Sequence, residues 1–274
     1  MTTASNVCEF ENTPKTRFYR RSLEILIRAR LPFLIGGAYA LHNYSGIFRD
    51  TKDLDVFIKP ADCEKTLEVF TRAGFETTVA FEHWLAKSTW NGHLIDIIFN
   101  SGNAISEVDD IWFERAVDGN LFGIAVKFAP PEEIIWSKAF VMERERYDGA
   151  DVNHILLARG NKIDWKRLID RFDSNWRLLL SHLILFGFVY PSERRLIPEW
   201  VMSELLSRLQ EDSGVEVHGR LCLGTLLSRE QYRLDVDRMG FADPRLPPRG
   251  KMTSEQVKKW DEGRSADGCK QPMD

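Results

Sequence analysis

The chain has 274 residues, of which 43% are hydrophobic and 28% are charged, and this composition excludes a mainly disordered protein. Its 37 basic and 41 acidic residues give a net charge of -4, which excludes a general binder of nucleic acid or anionic membranes, so any polyanion contact must be local. Four scattered cysteines without a Cys-x-x-Cys pair exclude a disulfide framework and a zinc site, and we expect a cytoplasmic protein.

The sequence predicts neither a signal peptide nor a membrane span. Residues 1–14 are polar and lack a basic region followed by an apolar stretch. The longest apolar run, residues 178–190, is about 13 residues long, which is too short to cross a bilayer and predicts a buried helix instead. We therefore expect no membrane contact and no extended nucleic-acid binding.

Helical and strand patterns alternate in the first half of the chain. In chain order, they predict a helix over 15–30, a strand over 33–35, a helix over 38–44, a strand over 53–58, a helix over 62–73, two hairpin strands over 84–90 and 93–99, and a last strand over 121–128. The hairpin is joined by Asn91-Gly92, which predicts a type I′ turn with positive φ at both residues. That turn sets the register so that Lys87 faces Asp96.

After Pro130-Pro131 the pattern becomes helical. The predicted helices cover 132–146, 150–158, 165–172, 176–188 and 199–209, with Asp164 and Ser174 as caps. We predict an α+β domain over residues 1–129, a helical domain over 130–241 and a poorly ordered tail, rich in proline and polar residues, over 242–274.

Two aspartates lie side by side on the predicted strand over 53–58. The period of two puts Asp53 and Asp55 on one face, while Leu54, Val56 and Ile58 lie on the other. Adjacent carboxylates repel each other and raise each other's pKa, so a strand seldom carries such a pair without a cation. Mg²⁺ is the expected cation because it takes a few carboxylate oxygens and completes its shell with water and substrate phosphates.

Asp96 is the candidate third ligand. It is the only charge in the apolar strand Leu94-Ile-Asp-Ile-Ile98, and burying an unpaired carboxylate there would cost several kcal/mol. Its partner is either Lys87 across the hairpin, in a pair worth roughly 0.2 to 1 kcal/mol, or a metal shared with Asp53 and Asp55. Because it follows an Asp-x-Asp strand, we favour the metal.

Gly36-Gly37 lies where a strand enters a helix. There, backbone N–H groups and the positive end of the helix dipole can contact phosphate without a Cβ in the way. By itself a glycine pair indicates only a tight turn, and the downstream aspartates favour the phosphate interpretation.

Together these motifs resemble the DNA polymerase β-type nucleotidyltransferase superfamily, in which a glycine pair at a strand-helix junction precedes Asp-x-Asp and a third acidic residue on a later strand. Gly-Gly-x-x-Ala over 36–40, followed by Arg-x-Thr-Lys-Asp-Leu-Asp over 49–55, is most similar to the bacterial antibiotic-modifying and AbiEii-like toxin branches. The resemblance covers about residues 30–100 and extends weakly to about 157.

The resemblance implies a nucleotidyltransferase fold, a small mixed sheet flanked by helices, over 1–129. It implies transfer of a nucleoside monophosphate from an NTP to an acceptor, with two Mg²⁺ ions, or Mn²⁺ in their place, aligning attacker and leaving group. Asp53 and Asp55 would hold the metals, and Asp96 would hold one metal and help deprotonate the acceptor. Gly36 and Gly37 would cradle the triphosphate.

Further residues would complete the nucleotide site. Arg49, Thr51 and Lys52 adjoin the aspartates and are predicted to contact phosphates, although Arg49 and Lys52 fit a solvated loop equally well. Lys138 shares a helix face with apolar residues, so its ammonium must reach a partner. Toxin-type relatives carry a helical Lys followed by Lys-Asp-x-x-Asp-Leu, and here Lys138 and the run ending in Asp151-Val fit that pattern.

The chain departs from that pattern at Tyr147, which replaces the second lysine of the motif. Arg144 or Arg146 would be its substitute, but a Glu-Arg-Glu-Arg run is more typical of a solvated helix end, and we interpret both arginines in that way.

Other functions remain open from the sequence. A glycosyltransferase also uses Asp-x-Asp, but it needs neither the Gly-Gly helix nor a third aspartate on a hairpin, so we rank it lower. A descendant without catalysis would bind a nucleotide or, as in a toxin-antitoxin pair, a partner protein. The acceptor is a small molecule such as an aminoglycoside or lincosamide, a tRNA end or a protein hydroxyl.

Overall fold

The computed structural model describes residues 13–212 and 219–263. Its α-helices are α1 (Pro14–Arg28), α2 (Gly37–Ser45), α3 (Cys63–Arg72), α4 (Asp110–Glu114), α5 (Pro131–Ala139), α6 (Gly149–Arg159), α7 (Trp165–Phe172), α8 (Trp176–Val189), α9 (Glu199–Asp212), α10 (Arg233–Asp237) and α11 (Ser254–Glu262). Its strands are β1 (Leu34–Ile35), β2 (Asp53–Phe57), β3 (Glu76–Phe81), β4 (Leu85–Trp90), β5 (His93–Ile98), β6 (Val117–Leu121) and β7 (Ile124–Phe128).

The strands form one seven-stranded sheet in the order β3-β4-β5-β2-β1-β7-β6. The pairs β2–β5 and β1–β7 are parallel and the others antiparallel, which confirms the predicted mixed sheet flanked by helices. The sheet is larger than predicted for two reasons. Strands β3 and β6 were not predicted, and the strand predicted over 121–128 begins only at Ile124, because Phe122-Gly123 turns the chain between β6 and β7 with positive φ at both residues.

The β4–β5 hairpin has the predicted register. Lys87 pairs with Asp96 and Trp90 with His93. Asn91 and Gly92 have φ of 49° and 78°, as a type I′ turn requires. The local turn sequence therefore decided which residue of β4 lies opposite the central aspartate of β5.

Strand β2 lies in the middle of the sheet, between β5 and β1. Its alternate residues Leu54 and Val56 are fully buried in the core, and Asp53 and Asp55 share the opposite face. The apolar side of the strand is thus anchored against the helices, and this holds the two aspartates in a fixed position.

Helix α5 ends at Ala139, so the prediction of a helix over 132–146 is wrong beyond that residue. The chain turns back instead: Met142 and Tyr147 form a β-bridge, and the Asp148 N–H donates to the Val141 carbonyl. The Met142 N–H donates to the carbonyl of Leu227, a bond to a distant segment that sequence periodicity cannot reveal.

In residues 130–212 the regular elements are α-helices and short 3₁₀-helices, which accords with the helical pattern of the second half. Helix α8 was predicted to be buried, but only its inner side is in the core, and Phe188 on its outer side is largely exposed. The boundaries between domains stay a prediction.

Residues 242–263 differ from the predicted poorly ordered tail. Arg245 is 2% exposed in its side chain and pairs with Asp243 at 2.7 Å and Asp261 at 2.6 Å. Trp260 of α11 packs edge-on against Phe81, with ring centroids 5.0 Å apart. The ion pairs join the two ends of this segment, and the ring contact holds it against strand β3. The rest of the predicted tail, residues 264–274, lies outside the described residues, as do residues 1–12.

Among the described residues, no helix is both long and apolar enough to cross a membrane.

Candidate active site

The Gly36-Gly37 turn leads from β1 into α2 and lies directly against β2. The Gly36 N–H donates to the Asp55 carbonyl at 3.0 Å, and a Cβ on Gly36 would lie 2.0 Å from the Phe57 ring. Gly37 has a φ of +52°, and a Cβ there would lie 1.6 Å from Oδ2 of Asp55. Only glycine fits at either position, and the Asp55 carboxylate therefore rests against the first turn of α2.

Three carboxylates occupy one face of the sheet beside this turn. Asp53 and Asp55 alternate along β2, and Asp96 lies in register beside Asp55 on the parallel strand β5. Burial, together with the negative charges of Asp53 and Asp96, raises the pKa of Asp55 to about 7. The site therefore concentrates negative charge in a buried position, where a cation would be stabilised.

Asp53 and Asp96 also have protein partners. The Thr51 hydroxyl donates to Oδ1 of Asp53 at 2.5 Å. Lys87 Nζ lies 3.5 Å from Oδ1 of Asp96, with both side chains largely buried, so the cross-hairpin pair anticipated from the sequence is present. The predicted contact of Thr51 with phosphate stays a prediction.

Within residues 13–212 and 219–263, no three His, Cys, Asp or Glu side chains are arranged to hold a metal ion. Asp53 turns toward Thr51 and Asp96 toward Lys87, so the three carboxylates share a face without converging. Their chemistry nevertheless fits Mg²⁺ or Mn²⁺, because all are hard oxygen donors and their mutual repulsion is what a cation relieves. The predicted metal site stays a prediction.

Lys138, at the end of α5, is held by two carboxylates of the following segment. Its Nζ donates to Oδ2 of Asp148 at 2.9 Å and to Oδ2 of Asp151 at 2.8 Å. Burial lowers the pKa of Lys138, but the two carboxylates outweigh that effect and the net shift is upward. Lys138 therefore remains protonated, and its positive charge lowers the pKa of Asp55.

Arg146 does not end a helix as predicted, since α5 stops at Ala139, and although 67% of its side chain is exposed to solvent, it pairs with the buried Asp148. Its Nε and Nη2 atoms donate to the two oxygens of Asp148, both at 2.9 Å. This bidentate hydrogen bonding raises the pKa of Arg146, and the charge of Asp55 contributes. Arg144 is exposed beside Glu145 and accords with the solvated interpretation. Arg146 thus supplies a cation close to where the relatives' motif has its second lysine.

Arg49 links the loop before β2 to helix α6. Its Nη1 lies 2.8 Å from Oδ1 of Asp151, and its Nη2 lies 3.4 Å from Nδ1 of His154. Arg49 is therefore joined through Asp151 to Lys138, which the sequence did not indicate. Lys52, which was predicted to contact phosphate, is exposed.

Sequence reasoning missed residues that shape the loop before β2. Lys15 of α1 donates to Oδ1 of Asp50 at 2.6 Å and to the Thr51 carbonyl at 3.0 Å. Burial raises the pKa of Tyr39, and the charges of Asp50 and Asp53 raise it further, which places this phenol beside the site. Lys15 lies about 35 residues from its partners along the chain, so no local pattern reveals the contact.

The chain is similar to several solved nucleotidyltransferase structures. The solution structure of the antibiotic-resistance factor ANT(2'')-Ia is 17% identical, with 63% of this chain and 98% of that chain covered and a TM-score of 0.46. For the lincosamide antibiotic adenylyltransferase LnuA, bound to lincomycin, the identity is 14%, the coverage 52% and 96%, and the TM-score 0.38. An antigenic nucleotidyltransferase-like protein from Paracoccidioides brasiliensis is 17% identical, with 68% and 94% covered and a TM-score of 0.41.

No family model and no curated protein sequence matches the chain. The solved structures belong to the class that the Gly-Gly and Asp-x-Asp motifs predict. Because each of the three is 17% identical or less, with a TM-score below 0.5, the case for function rests on the geometry of this site.

Proposed function

We propose that this protein is a metal-dependent nucleotidyltransferase, which moves a nucleoside monophosphate from an NTP to an acceptor hydroxyl. The observation that carries the proposal is the contact between the Asp55 carboxylate and Gly37 in the first turn of α2, with Asp53 and Asp96 on the same face. This arrangement puts a phosphate-binding helix end next to a cluster of carboxylates, the two parts that metal-assisted phosphoryl transfer requires.

The triphosphate has a complementary environment. The Gly36 N–H is taken by the Asp55 carbonyl, so the backbone N–H groups that could meet phosphate are those of the first turn of α2, which begins at Gly37, where no Cβ intervenes. Beside it, the cations Lys138, Arg146 and Arg49 exceed the carboxylates Asp148 and Asp151 that they pair with by one positive charge. This excess favours an anionic ligand between the cations and the carboxylate face, and we assign it to the phosphates of the NTP.

Asp53, Asp55 and Asp96 would hold the metal ions, Mg²⁺ or Mn²⁺. When bound, these ions neutralise charge on the phosphates and on the leaving pyrophosphate. Before that, the carboxylates put negative charge next to α2, and the charges of Asp53 and Asp96 add to burial, the main cause, in raising the pKa of Asp55.

The proposed reaction is a displacement at the α-phosphorus. The acceptor oxygen forms a bond to that phosphorus while the bond to the bridging oxygen of the β-phosphate breaks, and pyrophosphate leaves with the electron pair. The hydroxyl proton passes to a carboxylate, for which we propose Asp96. Lys138 and Arg146 orient the phosphates and do not exchange protons, since their carboxylate partners keep both charged.

The test is transfer of label from each α-labelled NTP, with Mg²⁺ or Mn²⁺, to a panel of aminoglycosides, lincosamides, total RNA and cell-lysate proteins. We expect label on one class of acceptor and a loss of at least about 100-fold in Asp55→Asn. Asp118→Asn is the matched control, because Asp118 lies exposed on β6. Undiminished transfer by an Asp53→Ala/Asp55→Ala double variant would sink the proposal.

A second candidate is a nucleotide-binding protein without catalysis. The observation that favours it is that Asp53 and Asp96 turn to Thr51 and Lys87 instead of converging on Asp55. A thermal-shift titration separates the two functions. An NTP that stabilises the protein without any transfer of label supports this candidate, and transfer that requires Mg²⁺ excludes it.

A further inference from the structure

Helix α8 is apolar on both sides. Its inner side packs into the core through Leu179, Leu183 and Phe186. On its outer side a second apolar surface remains uncovered by the described residues: Ile184, Leu185, Phe188 and Val189. Phe188 is 79% exposed, the most of any large hydrophobic side chain in the described part of the chain. A helix that is apolar all round is normally buried all round.

The size of this outer surface matches one half of a homodimer interface. On ordinary side-chain areas the four residues expose roughly 450 Å² together, within the range of patches that are often functional. A standard interface buries about 800 Å² per partner, and a homodimer interface is about 65% apolar, so about 520 Å² of apolar surface is needed. The outer side of α8 supplies most of that area.

The surface is also complementary to itself. Arg177, Ser181, Ile184 and Phe188 form one stripe, because residues spaced by three or four lie above one another on a helix. The middle of the segment from Ser181 to Phe188 falls between Ile184 and Leu185. A two-fold axis through that middle, with the helices antiparallel, places the large ring of each copy opposite the small serine of the other, as an isologous contact requires.

We propose that the outer side of α8 is a homodimer interface, in which α8 of one copy packs antiparallel against α8 of the other with Phe188 opposite Ser181. The overall charge favours a second copy over an anionic lipid surface, although Arg194, which donates to the Gly187 carbonyl at 2.9 Å, adds one positive charge beside the surface. Arg177 is neutralised by Asp212, 2.7 Å away, and the chain carries a net charge of -4.

The first experiment measures mass in solution by light scattering and sedimentation, over a wide range of concentration, for the full chain. We expect the wild type to dimerise and Phe188→Asp to raise the dissociation constant at least about tenfold. Leu234→Asp is the control, because Leu234 is 52% exposed on α10, away from the stripe, and its variant should dimerise normally. Both side chains are largely exposed, so an unchanged melting temperature, measured at a concentration where the wild type is monomeric, will show that the fold is kept.

The second experiment tests the orientation by disulfide cross-linking. Leu185→Cys lies next to the proposed axis and should cross-link to its own copy under oxidising conditions. Ser181→Cys should not, because antiparallel packing separates the two copies of that residue by about 10 Å along the helix axis, beyond disulfide reach. The wild type, with its own cysteines, serves as the blank.

A monomeric wild type, a dimer that Phe188→Asp leaves intact, or strong cross-linking of Ser181→Cys would each overturn the proposal. A monomer that sediments with vesicles of phosphatidylcholine and phosphatidylglycerol, and loses this binding in Phe188→Asp, would replace it with a membrane-binding surface.

Discussion

A substitution at Gly37 is the sharpest test of the arrangement of the site, because Gly46, at the other end of the same helix, provides a nearly matched control. Gly37 and Gly46 lie at the two ends of α2 and have φ of +52° and +73°. A Cβ on Gly37 would lie 1.6 Å from Oδ2 of Asp55, whereas a Cβ on Gly46 would meet nothing within 4 Å. Substitution by alanine therefore adds the same backbone strain at both positions but a collision at only one.

The two effects have different magnitudes. A left-handed conformation costs a non-glycine residue about 1–2 kcal/mol, or roughly 2–8 °C in melting temperature for a protein of this size. In Gly37→Ala the Asp55 carboxylate must also withdraw by about 2 Å to reach ordinary contact distance. A misplacement of about 1 Å in a catalytic group already costs about 100-fold, so we expect transfer to fall by at least that factor.

The assay compares three proteins: the wild type, Gly37→Ala and Gly46→Ala. Free energies of unfolding come from urea titration, nucleotide affinity from thermal shift with NTP and Mg²⁺, and activity from transfer of α-label. We expect Gly46→Ala to lose stability and keep nucleotide affinity and transfer. Gly37→Ala should lose all three.

The reasoning is refuted if Gly37→Ala binds NTP and transfers label as Gly46→Ala does. That result would mean that the position of Asp55 against the first turn of α2 does not matter for function. Equal loss of activity in both variants would also refute it, because strain in α2 alone would then explain the effect.

Three further predictions concern the surroundings of the site. Arg146→Ala should weaken NTP binding and cost about 1 kcal/mol of stability, discounted for the exposure of the guanidinium, whereas Arg144→Ala should change neither in the same titrations. The pKa of Asp148 is lowered to about 2, since Arg146 and Lys138 outweigh the opposing effect of burial. The ionised Asp148 therefore contributes about 2 kcal/mol to the free energy of unfolding above about pH 4, and this contribution is lost as the pH falls toward 2. Over that window, acid titration should reduce the stability of the Asp148→Asn variant less than that of the wild type. Trp260→Ala should lower the free energy of unfolding by about 2 kcal/mol, half the loss for a fully buried tryptophan, and should speed proteolysis within α11. An unchanged rate of cleavage would show that the Trp260 ring contacts do not hold the segment.

Short-range patterns in the sequence predicted the parts of the site that depend on neighbouring residues. The turn at Asn91-Gly92 fixed the β4–β5 register, and the alternation in β2 put Asp53 and Asp55 on one face. The same rules missed β6 and placed the start of β7 at 121 instead of 124, because Phe122 is not a typical turn residue.

Long-range contacts account for the rest. Arg146 is an exposed charge, as its alternating neighbours suggested, but the chain leaves the helix at Ala139 and pairs it with the buried Asp148. Arg245 lies in a proline-rich stretch that predicts disorder, yet it is held by Asp243 and Asp261. Neither partnership produces a periodic signal.

The sequence by itself determined which residues share a face or a turn, since the periods of strands and helices and the φ angles of glycine and asparagine act over a few residues. Only the tertiary structure decided that Gly37 rests against Asp55, that Lys138 and Arg146 share Asp148, and that the outer side of α8 stays uncovered by the described residues. The physical reason is that burial and charge pairing depend on where distant segments meet, and the sequence encodes those meetings in the packing of the whole chain, beyond any local repeat.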